Sequence, residues 1–217
     1  MKLLLATRNQ DKVREIKSVL GGLCDRGLEI QTLDEYPAID ARLLWVEDGT
    51  TFQENALKKA RAVYQATRLP TLADDSGLEV FYLNNRPGVY SSRYAGEGCT
   101  YEDNIRKLVW EMRGVPQRRR GARFRCVVAF VDGTFEKIVE GAVEGTIAEE
   151  PRGTNGFGYD PLFVPLGYQQ TFAELPPEVK NRISHRAKAL AEIVRLWRIE
   201  NWHGREQLRC SSDLLVK

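Results

Sequence analysis

The 217-residue chain has a formal net charge of +2, with 42% hydrophobic and 29% charged side chains. These values are ordinary for a water-soluble globular protein of one sizeable domain, and they exclude a strong overall attraction to nucleic acid or membrane. No apolar run approaches the ~20 residues of a membrane-spanning helix, and the leucines at 3–5 are too few for a secretory signal. We therefore expect a soluble, cytoplasmic protein.

The sequence predicts an alternation of strands and helices. Apolar runs typical of strands are followed by segments with apolar residues at helical spacing. The predicted strands lie at residues 2–6, 28–33, 71–73, 78–83, 122–131, 134–147 and 162–164. The predicted helices begin near Val13, Thr51, Thr100 and Ser184, and the first three end near Gly21-Gly22, Pro70 and Gly114. This interleaving favours the α/β class with a mixed sheet.

Local signals set several of these boundaries. Thr51-Phe52-Gln53-Glu54 matches a capping box, and Thr100 with Asp103 gives a weaker one. Asp132-Gly133 is typical of a hairpin turn, and residues 74–77 are expected to interrupt the strand around them. The predicted buried face of the last helix consists of Ala187, Leu190, Ala191, Val194 and Trp197.

The first candidate site is the polar turn after the opening strand. It consists of Thr7, Arg8, Asn9, Gln10, Asp11 and Lys12. A strand that runs into a helix through polar residues leaves backbone N–H groups free at the helix N-terminus, where an anion can bind. Lys12 would add a point charge that suits phosphate. The alternative is a capped helix with an exposed lysine.

The second candidate is the pair Asp74-Asp75, followed by Ser76-Gly77. Adjacent buried carboxylates repel each other, and a metal ion would remove that penalty. The cysteines are far apart and histidines occur only at 185 and 203, so a zinc site is not expected and Mg²⁺ or Mn²⁺ is favoured. Glu47 would be a second carboxylate ligand, with Asp48 as its alternative. The competing interpretation of residues 74–77 is a solvated turn.

Three further segments carry possible binding groups. In residues 153–161, glycines flank Phe157, so its ring could stack on a planar ligand; an ordinary glycine loop around a core Phe is the alternative. Residues 180–186 gather donors that could contact a base or an anion, or simply face solvent at a helix terminus. Residues 118–125 are rich in arginine and could bind a phosphate backbone, although a solvated loop is the simpler interpretation.

Taken together, these segments resemble the inosine triphosphate pyrophosphatase family. Six short motifs carry the resemblance, in the family's order, between residue 3 and about residue 197. They are Ala6-Thr7-Arg8-Asn9-x-x-Lys12, Thr51-Phe52-x-Glu54-Asn55-Ala56, Ala73-Asp74-Asp75-Ser76-Gly77-Leu78, Pro87-Gly88-Val89-Tyr90-Ser91-Ser92-Arg93-Tyr94-Ala95-Gly96, Gly156-Phe157-Gly158-Tyr159-Asp160-Pro161 and Ser184-His185-Arg186.

The resemblance implies an elongated α/β fold of two lobes around a twisted mixed sheet flanked by helices, with the active site in the cleft between the lobes. It also implies a homodimer, Mg²⁺ (with Mn²⁺ as a substitute), and hydrolysis of ITP, dITP and XTP to the monophosphate and pyrophosphate. Residues 1–217 would form a single catalytic domain, in which 198–217 are a C-terminal extension beyond the family's usual last helix.

The resemblance also implies roles for individual residues. Glu47 and Asp75 would bind the metal, and Asp75 would orient or deprotonate the attacking water. Phe157 would stack on the base, and Asp160, His185 and Arg186 would contact its edge. The residues implied in substrate binding are Thr7, Arg8, Asn9, Gln10, Asp11, Lys12, Ser76, Phe157, Gly158, Tyr159, Asp160, Lys180, His185 and Arg186.

Three other interpretations compete with this one. A related pyrophosphatase family acts on pyrimidine or modified nucleotides, but its Ser-Pro-Arg-Arg type opening loop does not match Thr7-Arg8-Asn9-Gln10. A nucleic-acid-binding module would use the arginines of residues 118–125 and would show no turnover. A catalytically inactive nucleotide sensor is the third, although the carboxylates and lysines that the chemistry needs are present.

Overall fold

The computed structural model describes residues 2–24, 27–39 and 49–199. Within these ranges, seven strands form one sheet in the order β2-β1-β3-β5-β6-β7, with β4 paired to the far end of β3. The strands are β1 (Lys2–Leu5), β2 (Glu29–Thr32), β3 (Thr71–Val80), β4 (Arg86–Pro87), β5 (Gly121–Val131), β6 (Glu136–Ile147) and β7 (Phe163–Pro165). β1 pairs in parallel with β2 and β3, and the other pairs are antiparallel. The predicted mixed sheet is confirmed.

Five helices flank this sheet in the described ranges. They are α1 (Gln10–Cys24), α2 (Phe52–Thr67), α3 (Tyr101–Glu111), α4 (Pro177–Ile183) and α5 (His185–Ile199). None of these helices is long and apolar enough to cross a membrane. The arrangement confirms the α/β class predicted from the alternating patterns.

The core consists of three hydrophobic clusters arranged around the long strands β3 and β5. Near the start of β3, α1 and α5 cover one face of the sheet and α2 covers the other. Toward the end of β3, α3 and residues 159–175 cover the same face that α1 and α5 cover near its start. Residues 74–78 of β3 lie where these clusters meet, so polar groups there lie between the two ends of the molecule.

The predicted interruption of β3 is wrong. Residues 71–80 are one continuous strand, and each of them pairs with a residue of β5. Asp74 and Asp75 are 2% and 6% exposed, which excludes the solvated turn. The composition Asp-Asp-Ser-Gly favours a turn locally, but the ladder to β5 and buried cations that face the carboxylates keep the segment extended.

Two helix boundaries also differ from the predictions. α1 continues through Gly21-Gly22 to Cys24, because packing of its apolar face outweighs the low helix propensity of two glycines. At the start of α2, the Thr51 hydroxyl accepts from the Glu54 N–H at 3.1 Å, but the Glu54 carboxylate accepts from the N–H of Thr50 instead of Thr51. The capping box predicted there is therefore only half formed. The box at Thr100 and Asp103 is complete.

The hairpin and the last helix follow the sequence signals closely. The Asp132 carboxylate accepts from the N–H groups of Thr134 and Phe135, which closes the turn between β5 and β6. The Ser184 hydroxyl accepts from the N–H of Ala187 at 3.2 Å and so caps α5. One position of the predicted buried face is wrong, since Ala191 is exposed. Ala189 and Ile193 are buried on that helix instead.

Candidate active site

A cavity that is partly open to solvent lies between the two ends of the molecule. Its wall combines residues from the start of α1, the middle of β3, the start of α3, the glycine loop at 156–160, and the junction of α4 with α5. Its lining residues include Asn9, Lys12, Asp75, Ser76, Val89, Ser91, Tyr101, Phe157, Asp160, Lys180, His185 and Arg186. Five of the six sequence motifs therefore contribute to one cavity.

Asp74 and Asp75 belong to opposite faces of the sheet, because successive side chains of a strand alternate. Asp74 faces α1 and α5, where Lys12 and Arg186 contact it. Asp75 faces α2, where Lys59 contacts it. The sequence predicts one metal site shared by both carboxylates. In the structure each carboxylate has its own cationic partner, and this pairing offsets the repulsion that the metal was expected to relieve.

Asp74 is held by a buried network of alternating charges. Its Oδ2 atom is 3.2 Å from Lys12 Nζ and 3.0 Å from Arg186 Nη2. Arg186 also pairs with Glu15 and donates to the Ser76 hydroxyl at 3.0 Å. Burial alone would raise the pKa of Asp74, but the charges of Lys12 and Arg186 outweigh it and hold that pKa well below its usual range. The carboxylate is therefore ionised and has no side-chain exposure.

Glu15 connects the same network to Lys180 and Asp160. Its carboxylate is 2.6 Å from Lys180 Nζ, and Lys180 also pairs with Asp160. Burial would raise the pKa of Glu15, but Arg186 and Lys180 together lower it. Glu15 is not among the residues predicted from the sequence. Its place on the inward face of α1, next to Ile16 and one turn after Lys12, is the only signal that could have indicated it.

Asp75 lines the cavity. It also pairs with Lys59 of α2, the helix that covers the face of the sheet to which Asp75 belongs. Lys59 Nζ is 3.1 Å from Asp75 Oδ1 and donates to the Asp74 carbonyl at 3.0 Å. The Asn55 side chain donates to Asp75 Oδ2 at 3.1 Å. Lys59, which is 5% exposed, was missed by the sequence analysis. A lysine on the buried face of α2, between Ala56 and Ala60, was the available signal, because lysine is almost never fully buried unless it is paired.

We expect Lys59→Met to reduce turnover by roughly 100-fold, because Asp75 would lose the cation that fixes its position and charge. Lys58→Met is the matched control, since Lys58 is exposed on α2 whereas Lys59 is buried against Asp75. Steady-state kinetics on both variants, with thermal unfolding to confirm folding, test this expectation. Equal activity of the two variants would show that Lys59 has no role beyond packing.

Only some of the residues predicted to bind substrate at the opening turn line the cavity. Asn9 and Lys12 line the cavity, whereas Arg8 and Gln10 contact Asp34 outside it. The N–H groups of Asp11 and Lys12 donate to Asn9 Oδ1, so they are not free in the structure. Asparagine at this position caps α1, because its side-chain oxygen can accept from the N–H groups of the first turn.

Thr7 and Asp11 also lie outside the cavity lining. The Thr7 hydroxyl accepts from the Asn9 N–H at 3.2 Å and so shapes the turn. Asp11 pairs with Arg14 one turn further along α1. The predicted contacts of these residues with a substrate stay predictions.

The glycine loop presents Phe157 beside two cations. Lys180 Nζ is 4.8 Å and Arg186 Cζ 5.7 Å from the centre of the Phe157 ring. The loop closes through Asp160, whose Oδ2 accepts from the Phe157 N–H at 2.8 Å. Gly156 is required there, because its φ is +73° and a Cβ would lie 2.0 Å from that oxygen. Phe157 is partly buried and lines the cavity, and its stacking on a base stays a prediction.

The other members of this loop have structural contacts. The Tyr159 hydroxyl donates to the Ser91 carbonyl at 2.9 Å, which connects the loop to the turn after β4. Gly77 allows that turn to approach β3, since a Cβ would lie 2.3 Å from the Gly88 carbonyl oxygen. Gly158 has a φ of +60° and lines the cavity. Together these contacts fix the cavity wall opposite α1.

His185 is a buried neutral imidazole in the cavity wall. Its ring stacks on Phe124 with 4.7 Å between ring centres and a 9° angle between planes. Burial, reinforced by the positive charges of Arg186 and Lys180, lowers its pKa well below the usual value. Its Nδ1 atom has no hydrogen-bond partner among the described residues. A buried polar atom without a partner is costly, so this nitrogen is suited to contact a ligand.

The arginines of residues 118–125 are mostly engaged within the protein. Arg120 is 3% exposed and donates to four backbone carbonyl groups, including those of Ile147 and Ala148. Arg123 pairs with Glu79, and Arg125 pairs with Glu79 and Glu140. The solvated-loop interpretation is therefore wrong for Arg120. These contacts also leave little free positive charge for a nucleic-acid surface.

Together, the fold and cavity define a mixed-sheet α/β protein with a cleft of buried charge pairs and aromatic rings. A family model described as the Ham1 family matches residues 3–196. The chain therefore belongs to the Ham1 family, and the resemblance predicted from the six motifs is confirmed.

Alignments with similar proteins cover nearly the whole of the matched region. A dITP/XTP pyrophosphatase of Geobacter sulfurreducens is 47% identical over 191 residues, which cover 88% of this chain and 93% of the relative. A dITP/XTP pyrophosphatase of Bacillus subtilis is 46% identical over 194 residues, covering 89% and 95%. The structure of a HAM1 protein from Coxiella burnetii has a TM-score of 0.79 at 41% identity, covering 90% of this chain and 98% of that one.

Proposed function

We propose that this protein is a nucleoside triphosphate pyrophosphohydrolase that converts ITP, dITP and XTP to the monophosphate and pyrophosphate. By this reaction it would remove non-standard purine nucleotides from the nucleotide pool. The observation that carries the proposal is the single cavity in which Asp75, Lys12, Phe157 and His185 converge. Relatives named dITP/XTP pyrophosphatase, at 46–47% identity over most of the chain, support the same activity.

The charges of the cavity suit a triphosphate. Lys12 and Lys180 are largely buried, and each has carboxylate partners, so the lysines are held in fixed positions before a substrate arrives. Phosphoryl transfer depends mainly on positioning and on neutralising charge that spreads over the phosphate oxygens. We propose that Asn9, Lys12 and Lys180 hold the phosphates. Asp75 would orient a water molecule and accept its proton during attack on the α-phosphorus.

Mg²⁺ is the proposed cofactor, and the described residues fit it in a limited way. Asp75 is a carboxylate in the cavity wall, whereas Asp74 faces the other side of the sheet, where Lys12 and Arg186 pair with it, and does not line the cavity. No group of three or more His, Cys, Asp or Glu side chains within residues 2–24, 27–39 and 49–199 could hold a metal. One or two carboxylates, with substrate phosphates and water, are a usual ligand set for Mg²⁺.

The remaining predicted ligand, Glu47, lies outside the described residues, as does its alternative Asp48. Bound Mg²⁺ would neutralise phosphate charge and lower the pKa of a nearby water. Mn²⁺ is the expected substitute.

We propose that His185 distinguishes hypoxanthine and xanthine from adenine. These bases present a carbonyl oxygen where adenine has an amino group, and a neutral imidazole can donate to a carbonyl oxygen through Nδ1–H. Arg186 was expected to share this role, but its guanidinium contacts Asp74, Glu15 and Ser76 in the structure. These contacts favour Arg186 as a support for the cavity wall. Asp160 is paired with Lys180, and its contact with the base stays a prediction.

We expect His185→Phe to reduce the preference for ITP over ATP by roughly tenfold, the value of one buried hydrogen bond. The new ring would still stack on Phe124, so folding should be preserved. kcat/KM for both nucleotides is the measurement, with Phe157→Leu as the comparison variant, because removal of a stacking surface should weaken every base alike. Equal losses for ITP and ATP in His185→Phe would contradict its role in base selection.

A substrate panel tests the proposed function. Pyrophosphate release from ITP, dITP, XTP, GTP and ATP is measured with purified protein, with Mg²⁺, with Mn²⁺ and with excess EDTA. We expect metal-dependent release that favours ITP, dITP and XTP and stops in EDTA. Release that is independent of metal would contradict the cofactor proposal alone. No release from any nucleotide would leave the sensor interpretation.

A homodimer and a cytoplasmic location complete the proposal. Large apolar side chains that are exposed in the single chain, including Trp110 at 70% and Tyr90 at 55%, support a surface that a second copy covers. Analytical ultracentrifugation at micromolar concentration tests the dimer.

The proposed cytoplasmic location follows from the substrate class, because free nucleoside triphosphates are made and consumed in the cytoplasm.

A further inference from the structure

Tyr101 connects two walls of the cavity that belong to different parts of the chain. Its hydroxyl oxygen accepts from Asn9 Nδ2 at 3.0 Å and donates to Asp11 Oδ2 at 3.5 Å. Its ring centre lies 6.0 Å from that of Phe157, with 43° between the planes. One side chain therefore contacts both the opening turn and the glycine loop. None of the six sequence motifs includes this residue.

The backbone position of Tyr101 is firmly defined. It is the first residue of α3, directly after the capping residue Thr100. The Thr100 N–H and hydroxyl donate to the Asp103 carboxylate at 2.9 Å each, and the Asp103 N–H donates back to the Thr100 hydroxyl. The ring itself is 37% exposed. A side chain on a fixed helix terminus that borders solvent can close the mouth of a cavity.

We propose that Tyr101 is a substrate-positioning residue that closes the cavity over the nucleoside part of the substrate, opposite Phe157. This inference rests on the proposed function, in which Asn9 lies at the phosphate end of the site and Phe157 at the base end. The Tyr101 ring lies between these two ends. It therefore faces the base and ribose, and the phosphates lie beyond its hydroxyl group.

The same geometry means that entry of the base would release Asn9 from its hydrogen bond to Tyr101. Carbon atoms in van der Waals contact lie about 3.5–4 Å apart, so a base between two aromatic rings needs at least about 7 Å. The present separation of 6.0 Å is smaller, and the Tyr101 ring has to move outward when a purine enters. This movement breaks the hydrogen bond to Asn9 Nδ2, which then becomes free to donate to a phosphate oxygen.

Binding of two partial ligands tests the inference. Dissociation constants for IMP and for inorganic tripolyphosphate are measured by calorimetry with Mg²⁺ present, together with KM and kcat for ITP. The variants are Tyr101→Leu and Tyr101→Phe. Tyr168→Leu is the matched control, because Tyr168 is 38% exposed and does not line the cavity.

We expect Tyr101→Leu to weaken IMP binding and raise KM for ITP by roughly tenfold, the effect of one lost stacking contact. Tripolyphosphate binding should change less than about twofold, because that ligand has no base to stack. Tyr101→Phe should bind IMP normally and tripolyphosphate at least as tightly as the wild-type protein, since Asn9 is no longer paired. Tyr168→Leu should match wild type throughout.

Two results would overturn the inference while leaving the proposed function intact. One is unchanged IMP binding in Tyr101→Leu. The other is an equal loss for IMP and tripolyphosphate in a variant that unfolds at the wild-type temperature, which would indicate a purely structural role. Absence of IMP binding and of ITP hydrolysis by the wild-type protein would instead overturn the proposed function, and this inference with it.

Discussion

Asp75→Asn should abolish turnover while leaving the protein folded. The substitution keeps the size of the side chain but removes its charge, so it removes both the proton acceptor and the cavity-facing carboxylate proposed for Mg²⁺. Loss of a general base costs about 10²–10⁴ in rate, and loss of electrostatic stabilisation adds to it. We expect kcat/KM for ITP to fall at least about 1000-fold, measured as pyrophosphate release.

The Asp75→Asn variant should still fold, because the new amide oxygen can accept from Lys59 and the pairs on the α1 side of the sheet are untouched. Its unfolding temperature should fall, since the buried Lys59 loses its charged partner. Glu79→Gln is a matched control on the same strand. Glu79 pairs with Arg123 and Arg125 but does not line the cavity. Activity of Asp75→Asn comparable to that of the control would refute the assigned role.

Arg186→Met should be the most destabilising of the substitutions considered. Arg186 is 1% exposed, and its guanidinium pairs with both Asp74 and Glu15. Its removal therefore leaves two buried carboxylates short of positive charge. Breaking a buried pair in this way costs about 3–5 kcal/mol of unfolding free energy. Chemical denaturation at pH 7 measures the loss. Arg195→Met is the control, because Arg195 pairs with Glu192 on the exposed side of the same helix.

The destabilisation by Arg186→Met should depend on pH. In the folded protein the pKa values of Asp74 and Glu15 are lowered, and their unfolded values are about 3.9 and 4.3. Groups with lowered pKa values stabilise the fold above the unfolded pKa, and this stabilisation is lost as the pH falls further. The difference in unfolding free energy between wild type and variant should therefore have its largest value above about pH 5 and decrease below about pH 4. A difference that is constant from pH 7 to pH 3 would contradict this origin.

Much of the fold was predictable because it depends on local pattern. The hairpin at Asp132-Gly133, the cap at Thr100 and the cap at Ser184 all rest on contacts within three residues along the chain. Errors arose where distant partners decide the outcome. Residues 74–77 have turn composition, yet pairing with β5 makes them a strand. α1 likewise passes through two glycines because its other residues pack on the sheet.

The site was predictable only in part, for a related reason. Asn9, Asp75, Phe157 and His185 lie in compact motifs, and the structure brings them to one cavity. Lys59 contacts Asp75, and Tyr101 contacts Asn9 and Phe157, from positions with no motif of their own. Glu15 has no motif either, and it pairs with Lys180 and Arg186 in the same cavity wall. Had residues 74–77 been assigned to a strand, alternation would have predicted that Asp74 and Asp75 face opposite sides. The buried lysine of α2 would then have been an evident partner for Asp75.

In the proposed reaction, water attacks the α-phosphorus of a non-standard purine nucleoside triphosphate in this cavity. Hydrolysis of ITP in ¹⁸O-labelled water, with Mg²⁺ and with product analysis by mass spectrometry, locates the attacked phosphorus. We expect IMP and pyrophosphate in equal amounts, with one labelled oxygen in IMP and none in pyrophosphate. Formation of IDP and labelled inorganic phosphate, or label in the pyrophosphate, would contradict it.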